Sequence, residues 1–282
     1  MKKRKTPLAA PLPFQGQKRM WINYFKEVLI NNFNDKYTFV DLFGGSGLLS
    51  HLVKTTFPNA KVIYNDFDNY CERLQNIDKT NVLLKDIREI LKDSPNEKKL
   101  TDEVKNVVVK RLEKEKQSGF VDWLTVSSWL LFSMNYATTF EEITKHAFYN
   151  CIRLSDYSAN DYLKGVEIVK DDYRTLFNRY KHKKNVVFIV DPPYLTTEVK
   201  AYKEGVYWKL AEYLDVLNVL KDTNYIYFTS EKSSIIELIN WLQQNLNATN
   251  PFDGSIKKEI NATTSSRSQY KDIMFCKRMK HH

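Results

Sequence analysis

The sequence predicts an α/β fold, an open and mainly parallel sheet interrupted in mid-chain by a helical insertion. Three observations predict it. Val186-Val187-Phe188-Ile189-Val190 is an unbroken run of apolar, mostly β-branched residues, the pattern of a strand buried on both faces of a parallel sheet. Thr38-Phe39-Val40-Asp41-Leu42 reads as a second strand that runs into Phe43-Gly44-Gly45-Ser46-Gly47, after which Leu48, Leu49, Leu52 and Val53 recur at helical spacing. Residues 70–165 lack this alternation of strand and helix and read as a helical insertion. The chain therefore divides into residues 1–69 with 166–280, which carry the sheet, and 70–165 between them.

Composition bounds what such a fold can do. The 282 residues support a full core, and the apolar and aromatic content is that of a globular protein. No apolar run approaches membrane-spanning length, and the basic N-terminus lacks the apolar stretch of a signal peptide, so a cytoplasmic protein without membrane contact is expected. Cys71, Cys151 and Cys276 share no metal-ligand spacing and read as free thiols; no metal is expected. A net charge of +9 favours a polyanionic partner.

In chain order, residues 1–13 form a basic, proline-containing arm, either a solvated tail or a contact for DNA. Phe14-Gln15-Gly16-Gln17-Lys18 follows. There the glycine permits close backbone approach, Phe14 can stack and Lys18 can pair with a carboxylate. A helix is predicted from about Arg19 to Asn31, with Trp21, Phe25, Val28 and Leu29 on one apolar face. The glycine turn after Asp41 sits where a Gly-rich loop binds a nucleotide or nucleoside. Ser50 stands where the third glycine of G-x-G-x-x-G would fall, which points to a single adenosine moiety rather than a dinucleotide. An ordinary tight turn is the competing reading.

Val62-Ile63-Tyr64 is the next strand, ending on Asn65-Asp66. An acidic residue about 20 positions past the glycines can accept both ribose hydroxyls, and Asp66 fits better than Asp68. Within the insertion, Ser94-Pro95-Asn96-Glu97 has capping-box spacing and predicts a helix start, followed by the stripe Leu100, Val104, Val108 and Leu112. Trp123 through Met134 predicts a buried helix, and the stretch from Asn135 to Asp161, with Arg153, is the expected place of nucleic-acid contacts. Sheet pattern returns at Val166-Glu167-Ile168-Val169 and ends on Asp171-Asp172-Tyr173. Asp172 and Tyr173 can bond and flank an adenine, or serve as a helix N-cap and a core ring.

The strand at 186–190 ends on Asp191-Pro192-Pro193-Tyr194. The two prolines forbid ladder hydrogen bonds and fix the turn, so a carboxylate and an aromatic ring are held at the strand's carboxyl end, where open α/β sheets bind ligands. The polar segment from Leu195 to Val206, with Tyr202 and Lys203, is long enough to close over a ligand. Helices from about Tyr207 to Leu220 and from Ser233 to Leu246 flank a strand at Tyr225–Thr229. Two further strands between Ile256 and Lys277 surround a hydroxyl-rich turn with Arg267, a candidate phosphate contact or a plain exposed hairpin. The chain offers no Ser-His-Asp order and no metal cluster for hydrolytic chemistry.

The run Phe14-x-Gly16-x-Lys18, then Phe43-x-Gly45-x-Gly47, Asp66 and Asp191-Pro192-Pro193-Tyr194 resembles the DNA adenine-N6 methyltransferases of the D12 class, Dam-like and of α order, over nearly the whole chain. The resemblance implies a Rossmann-like sheet of seven strands, the last antiparallel, using S-adenosyl-L-methionine, with target recognition in the helical insertion. It implies cofactor contacts at Phe14, Gly16, Lys18, Asp41, Phe43, Gly45, Gly47, Asp66, Asp172, Tyr173 and Asp191, and a catalytic tetrad Asp191, Pro192, Pro193 and Tyr194. Double-stranded DNA is the implied partner, with Asn135, Arg153, Lys203 and Arg267 as candidate contacts and a cognate restriction endonuclease as a candidate protein partner, in a bacterial or phage setting. GATC-reading relatives carry a glycine-containing recognition segment ending in Pro-Phe-Gly. Asn135–Tyr162 has neither glycine nor proline, so no target sequence carries over. The same tetrad chemistry on RNA or on a protein amide, and an inactive DNA-binding relative, are the alternatives.

Overall fold

A computed structural model describes residues 9–132, 135–193, 210–265 and 268–279. Two compact units divide the chain, one of Lys18–Asp68 with the chain from Leu163 onward, the other of Ala9–Gln17 and Asn69–Tyr162. Ala9–Gln17, which the sequence reading groups with the sheet, thus packs within the second unit.

The first unit is a seven-stranded sheet of order β3-β2-β1-β4-β5-β7-β6. Its strands are β1 (Thr38–Asp41), β2 (Lys61–Asn65), β3 (Glu167–Val169), β4 (Val186–Val190), β5 (Asn224–Ser230), β6 (Ile256–Ser265) and β7 (Ser268–Lys277). β1 to β5 pair in parallel, β7 runs antiparallel to β5, and β6 pairs antiparallel with β7. The order reverses between β1 and β4, so the crevice at their carboxyl ends is the topological switch point at which such sheets bind ligands. Strand alternation sends Phe39, Val187, Ile189 and Phe228 to one face, against α1 (Ile22–Asn32) and α2 (Leu48–Thr56). Val40, Phe188, Val190 and Tyr227 face α8 (Tyr173–Tyr180), α9 (Leu210–Leu220) and α10 (Ile235–Leu246) on the other. Burial on both faces explains why β4 reads as a continuous apolar run.

The second unit holds α3 (Tyr70–Gln75), α4 (Ile77–Leu91), α5 (Asp102–Gln117), α6 (Trp123–Leu130) and α7 (Phe140–Thr144). Two predictions change here. Thr101, not Ser94, caps α5, its hydroxyl accepting from the Val104 N–H. Residues 94–100 instead pair with a distant segment. Glu97 N–H donates to Asn150 O, Leu100 N–H to Phe148 O, and Asn150 Nδ2 to Ser94 O. A long-range ladder overrides the local capping signal. The helix at Trp123 stops at Leu130, because Leu131 adopts extended backbone and its N–H closes the helix on Ser127 O. Among the described residues no helix is long and apolar enough to cross a membrane.

Candidate active site

The loop after β1 is built around Asp41. Ser50 Oγ, inside the first turn of α2, donates to Asp41 Oδ2 at 2.7 Å, and both residues are buried. Burial, helped by the nearby charge of Asp191, pushes the Asp41 carboxyl up to about 7 against the pull of Ser50. The glycines have separate reasons. A Cβ on Gly44 would lie 2.1 Å from the Tyr64 ring, and one on Gly47 would lie 2.9 Å from Leu163. Gly45 and Gly47 both adopt positive φ, at 50° and 71°, a region costly for other residues.

The end of β2 is locked to its neighbours. Asn65 Nδ2 donates to Leu42 O at 3.0 Å and to Asp171 O at 2.9 Å, while Asp171 N–H donates back to Asn65 Oδ1. One asparagine thereby joins the carboxyl ends of β1 and β3. The Tyr64 hydroxyl lies 2.7 Å from Gly45 O and 3.0 Å from Asp66 Oδ1, so it ties the glycine loop to the acidic strand end. Asp66 is buried, and its own N–H donates to Val169 O at 2.8 Å. Asp172 caps α8, accepting from the Arg174 N–H at 2.8 Å. Tyr173 lies buried with its ring 4.9 Å from Phe43. The N-cap and core-ring reading of this pair is therefore what the backbone adopts.

At the end of β4, across the switch point from Asp41, Asp191 Oδ2 pairs with Lys18 Nζ at 2.7 Å, both side chains largely buried. Burial pushes the Asp191 carboxyl above its usual range, and the charge and hydrogen bond of Lys18 pull it part of the way back. Lys18 Nζ also stands 5.6 Å from the centre of the Phe228 ring. Pro192 is buried and Pro193 half-buried.

Asp41, Phe43, Gly45, Gly47, Asp66, Asp172, Tyr173, Asp191 and Lys18 thus all lie in the sheet unit, the acidic ones at carboxyl ends of strands. Phe14 and Gly16 belong to the second unit, where Phe14 packs edge-on against Tyr70 at 5.7 Å and Gly16 takes φ +80°. Arg73 Nη2 and the Tyr70 hydroxyl anchor this segment through Pro13 O and Leu12. Asn135 is exposed. Arg153 stacks 3.9 Å above Tyr157 and donates to Ser155 Oγ. Tyr194, Lys203 and Arg267 lie outside the described residues. Gly44, Ser50, Tyr64 and Asn65 carry roles in this site that their sequence positions alone do not assign. The signal for Tyr64 is its position two residues before Asp66, on the same face of the strand. Ser50 shows only once strand and helix are packed.

Residues 14–250 match the family model of the D12 class N6 adenine-specific DNA methyltransferase. The chain belongs to this family. A Haemophilus influenzae protein named "Putative methyltransferase" is 38% identical over 283 residues, covering 98% of this chain and 95% of that protein. Membership in the D12 family carries methyltransferase chemistry, with S-adenosylmethionine as the implied methyl donor and DNA as the implied substrate.

Proposed function

We propose that this D12 family member is a site-specific, adenine-specific DNA methyltransferase, moving a methyl group from S-adenosylmethionine to N6 of an adenine flipped out of duplex DNA. The observation that carries this reading is Asp191, a largely buried carboxylate at the switch point that leads into two prolines and is held by Lys18. An adenine amine is a poor nucleophile because its lone pair is delocalised into the ring. Hydrogen bonds from that amine to the Asp191 carboxylate and the Pro192 carbonyl favour a more pyramidal nitrogen with its lone pair directed outward. Most of the rate then comes from positioning and fixed electrostatics. Tyr194 takes the role of stacking on the base. Asp191 works as the anion, so burial places the acid limb of activity above the usual carboxylate range.

The residues present fit the methyl donor. Asp66, fixed through Tyr64 and its own backbone, suits the ribose hydroxyls, and Phe43 with Tyr173 and Asp172 suits the adenine ring. Gly45 and Gly47 shape the loop, Asp41 holds it through Ser50, and Lys18 completes the set in this unit. When bound, S-adenosylmethionine supplies a methyl group on a positively charged sulfur, a net charge that buried carboxylates complement. The target atom is inaccessible in stacked DNA, so the base leaves the helix. The net charge of +9 supports salt-sensitive affinity for phosphates, and Asn135 to Asp161 of the helical insertion is the proposed recognition segment.

Labelled methyl donor offered together with unmethylated duplex DNA, RNA and bulk protein tests the substrate. Label in the DNA is the expected outcome. Label confined to RNA or protein contradicts the reading.

A further inference from the structure

Asp272 of β7 has no part in the site described so far, yet it lies beside it. It stands opposite Ser230, the last residue of β5, and Ser230 shares its sheet face with Phe228 two residues earlier. The Phe228 ring carries Lys18 Nζ 5.6 Å from its centre and the Trp21 indole edge-on at 5.7 Å. Lys18, Trp21, Phe228, Ser230 and Asp272 therefore gather on one face at the carboxyl end of β5. Burial pushes the Asp272 carboxyl up, the charge of Lys18 lowers it and that of Asp191 raises it, so Asp272 lies in the field of both partners of the ion pair. The Trp21 N–H is near enough to favour the carboxylate without forming a full hydrogen bond. Among the described residues, Asp272 Oδ1 and Ser230 Oγ are buried without a hydrogen-bond partner. Buried polar atoms are rarely left so in proteins.

Resting on the function proposed above, we propose that Asp272 is a positioning residue for Asp191, offering Lys18 a second carboxylate so that Asp191 is released to take the substrate amine. An ammonium group has three N–H donors, enough to serve two carboxylates. While Lys18 holds Asp191 Oδ2 at 2.7 Å, it competes with the amine for that oxygen. A shift of Lys18 toward Asp272 returns the full acceptor strength of Asp191 to the substrate and satisfies the buried Asp272 oxygen. The charged and titratable groups around Asp272 are Lys18 ahead of α1, Asp191 after β4, Lys232 after β5 and Tyr270 on β7, with Asp41 facing the Lys18–Asp191 pair from β1.

Carbon-13 NMR titration of the aspartate carboxyls reads the arrangement without turnover. Asp272→Asn keeps the shape and removes the charge, and the Asp191 midpoint should fall by about one pH unit as Lys18 pairs with Asp191 alone. In methyl transfer the same variant should lose roughly ten- to a hundredfold in kcat with little change in KM for the donor. Its acid limb should move down with the NMR midpoint, and Asp272→Glu should restore both. An unmoved Asp191 midpoint overturns the proposal, as does a rate loss that tracks only the loss of folded protein. If Asp272→Asn does not fold, Lys18→Met replaces it. That variant should raise the midpoints of both Asp191 and Asp272, and a rise in Asp191 alone overturns the proposal. A wild-type protein inactive on DNA defeats the proposed function, while the NMR result still decides the sharing of Lys18.

Discussion

One largely buried ion pair in each of the two units shows two different kinds of carboxylate. In the helical unit, Arg73 Nε donates to Asp122 Oδ1 at 2.9 Å, and Asp122 also accepts from the Thr125 N–H at 3.1 Å and the Thr125 hydroxyl at 2.6 Å. That carboxylate caps α6 while its arginine reaches Pro13 O, so its acceptor capacity goes into joining chain segments. In the sheet unit, Lys18 alone among the described residues pairs with Asp191, and burial keeps the Asp191 carboxyl above its usual range. Both carboxylates are aspartates of low exposure paired with a cation, so residue type alone does not separate the two. The difference lies in how many hydrogen bonds the carboxylate receives.

Breaking each pair should therefore fail in a different way. Asp191→Ala should cut methyl transfer by about a thousandfold or more, with donor binding measured by calorimetry largely kept. Arg73→Met should cost about 3–5 kcal/mol in chemical denaturation, because it strands a buried carboxylate, yet leave kcat per folded molecule unchanged, with any loss confined to KM for the donor because Arg73 also holds Pro13 beside Phe14. A third test uses pH. Asp41 has its folded carboxyl raised from 3.8 to about 7, so the folded chain holds a proton that the unfolded chain has released. The associated stability is complete below pH 3.8, and it is lost as pH rises through about 7. Across that window the loss is up to roughly 4 kcal/mol, and Asp41→Asn should remove this slope from denaturation curves taken between pH 4 and pH 8. The smallest effect is expected at the ribose end. Asp66→Ala should weaken donor binding by about ten- to a hundredfold, the worth of hydrogen bonds to a charged group, and leave the rate at saturation unchanged.

Much of this was legible in the sequence because it is local. The apolar run of β4 coincides with the strand residue for residue, and the glycines after Asp41 fall on a turn that demands positive φ at Gly45 and Gly47. The seven-strand sheet with an antiparallel β7 also follows from pattern joined to resemblance. What escaped depends on partners distant in the chain. Ser94 has the spacing of a helix cap, but pairing of residues 97–100 with 148–150 makes that segment a ladder and leaves the cap to Thr101. Ser50 was visible only as a missing glycine, whereas the fold gives it the Asp41 carboxylate. Asp122 reads as an ordinary polar residue before a helix until Arg73 arrives from α3.

The most direct measurement is nucleoside analysis of unmethylated duplex DNA after incubation with labelled S-adenosylmethionine, run side by side with wild type and Asp191→Ala. Labelled N6-methyladenine from wild type, and next to none from a variant that still binds the donor, is the predicted result. Label on another base, or comparable turnover by Asp191→Ala, would contradict the assignment of the switch-point carboxylate as the centre of adenine N6 methylation.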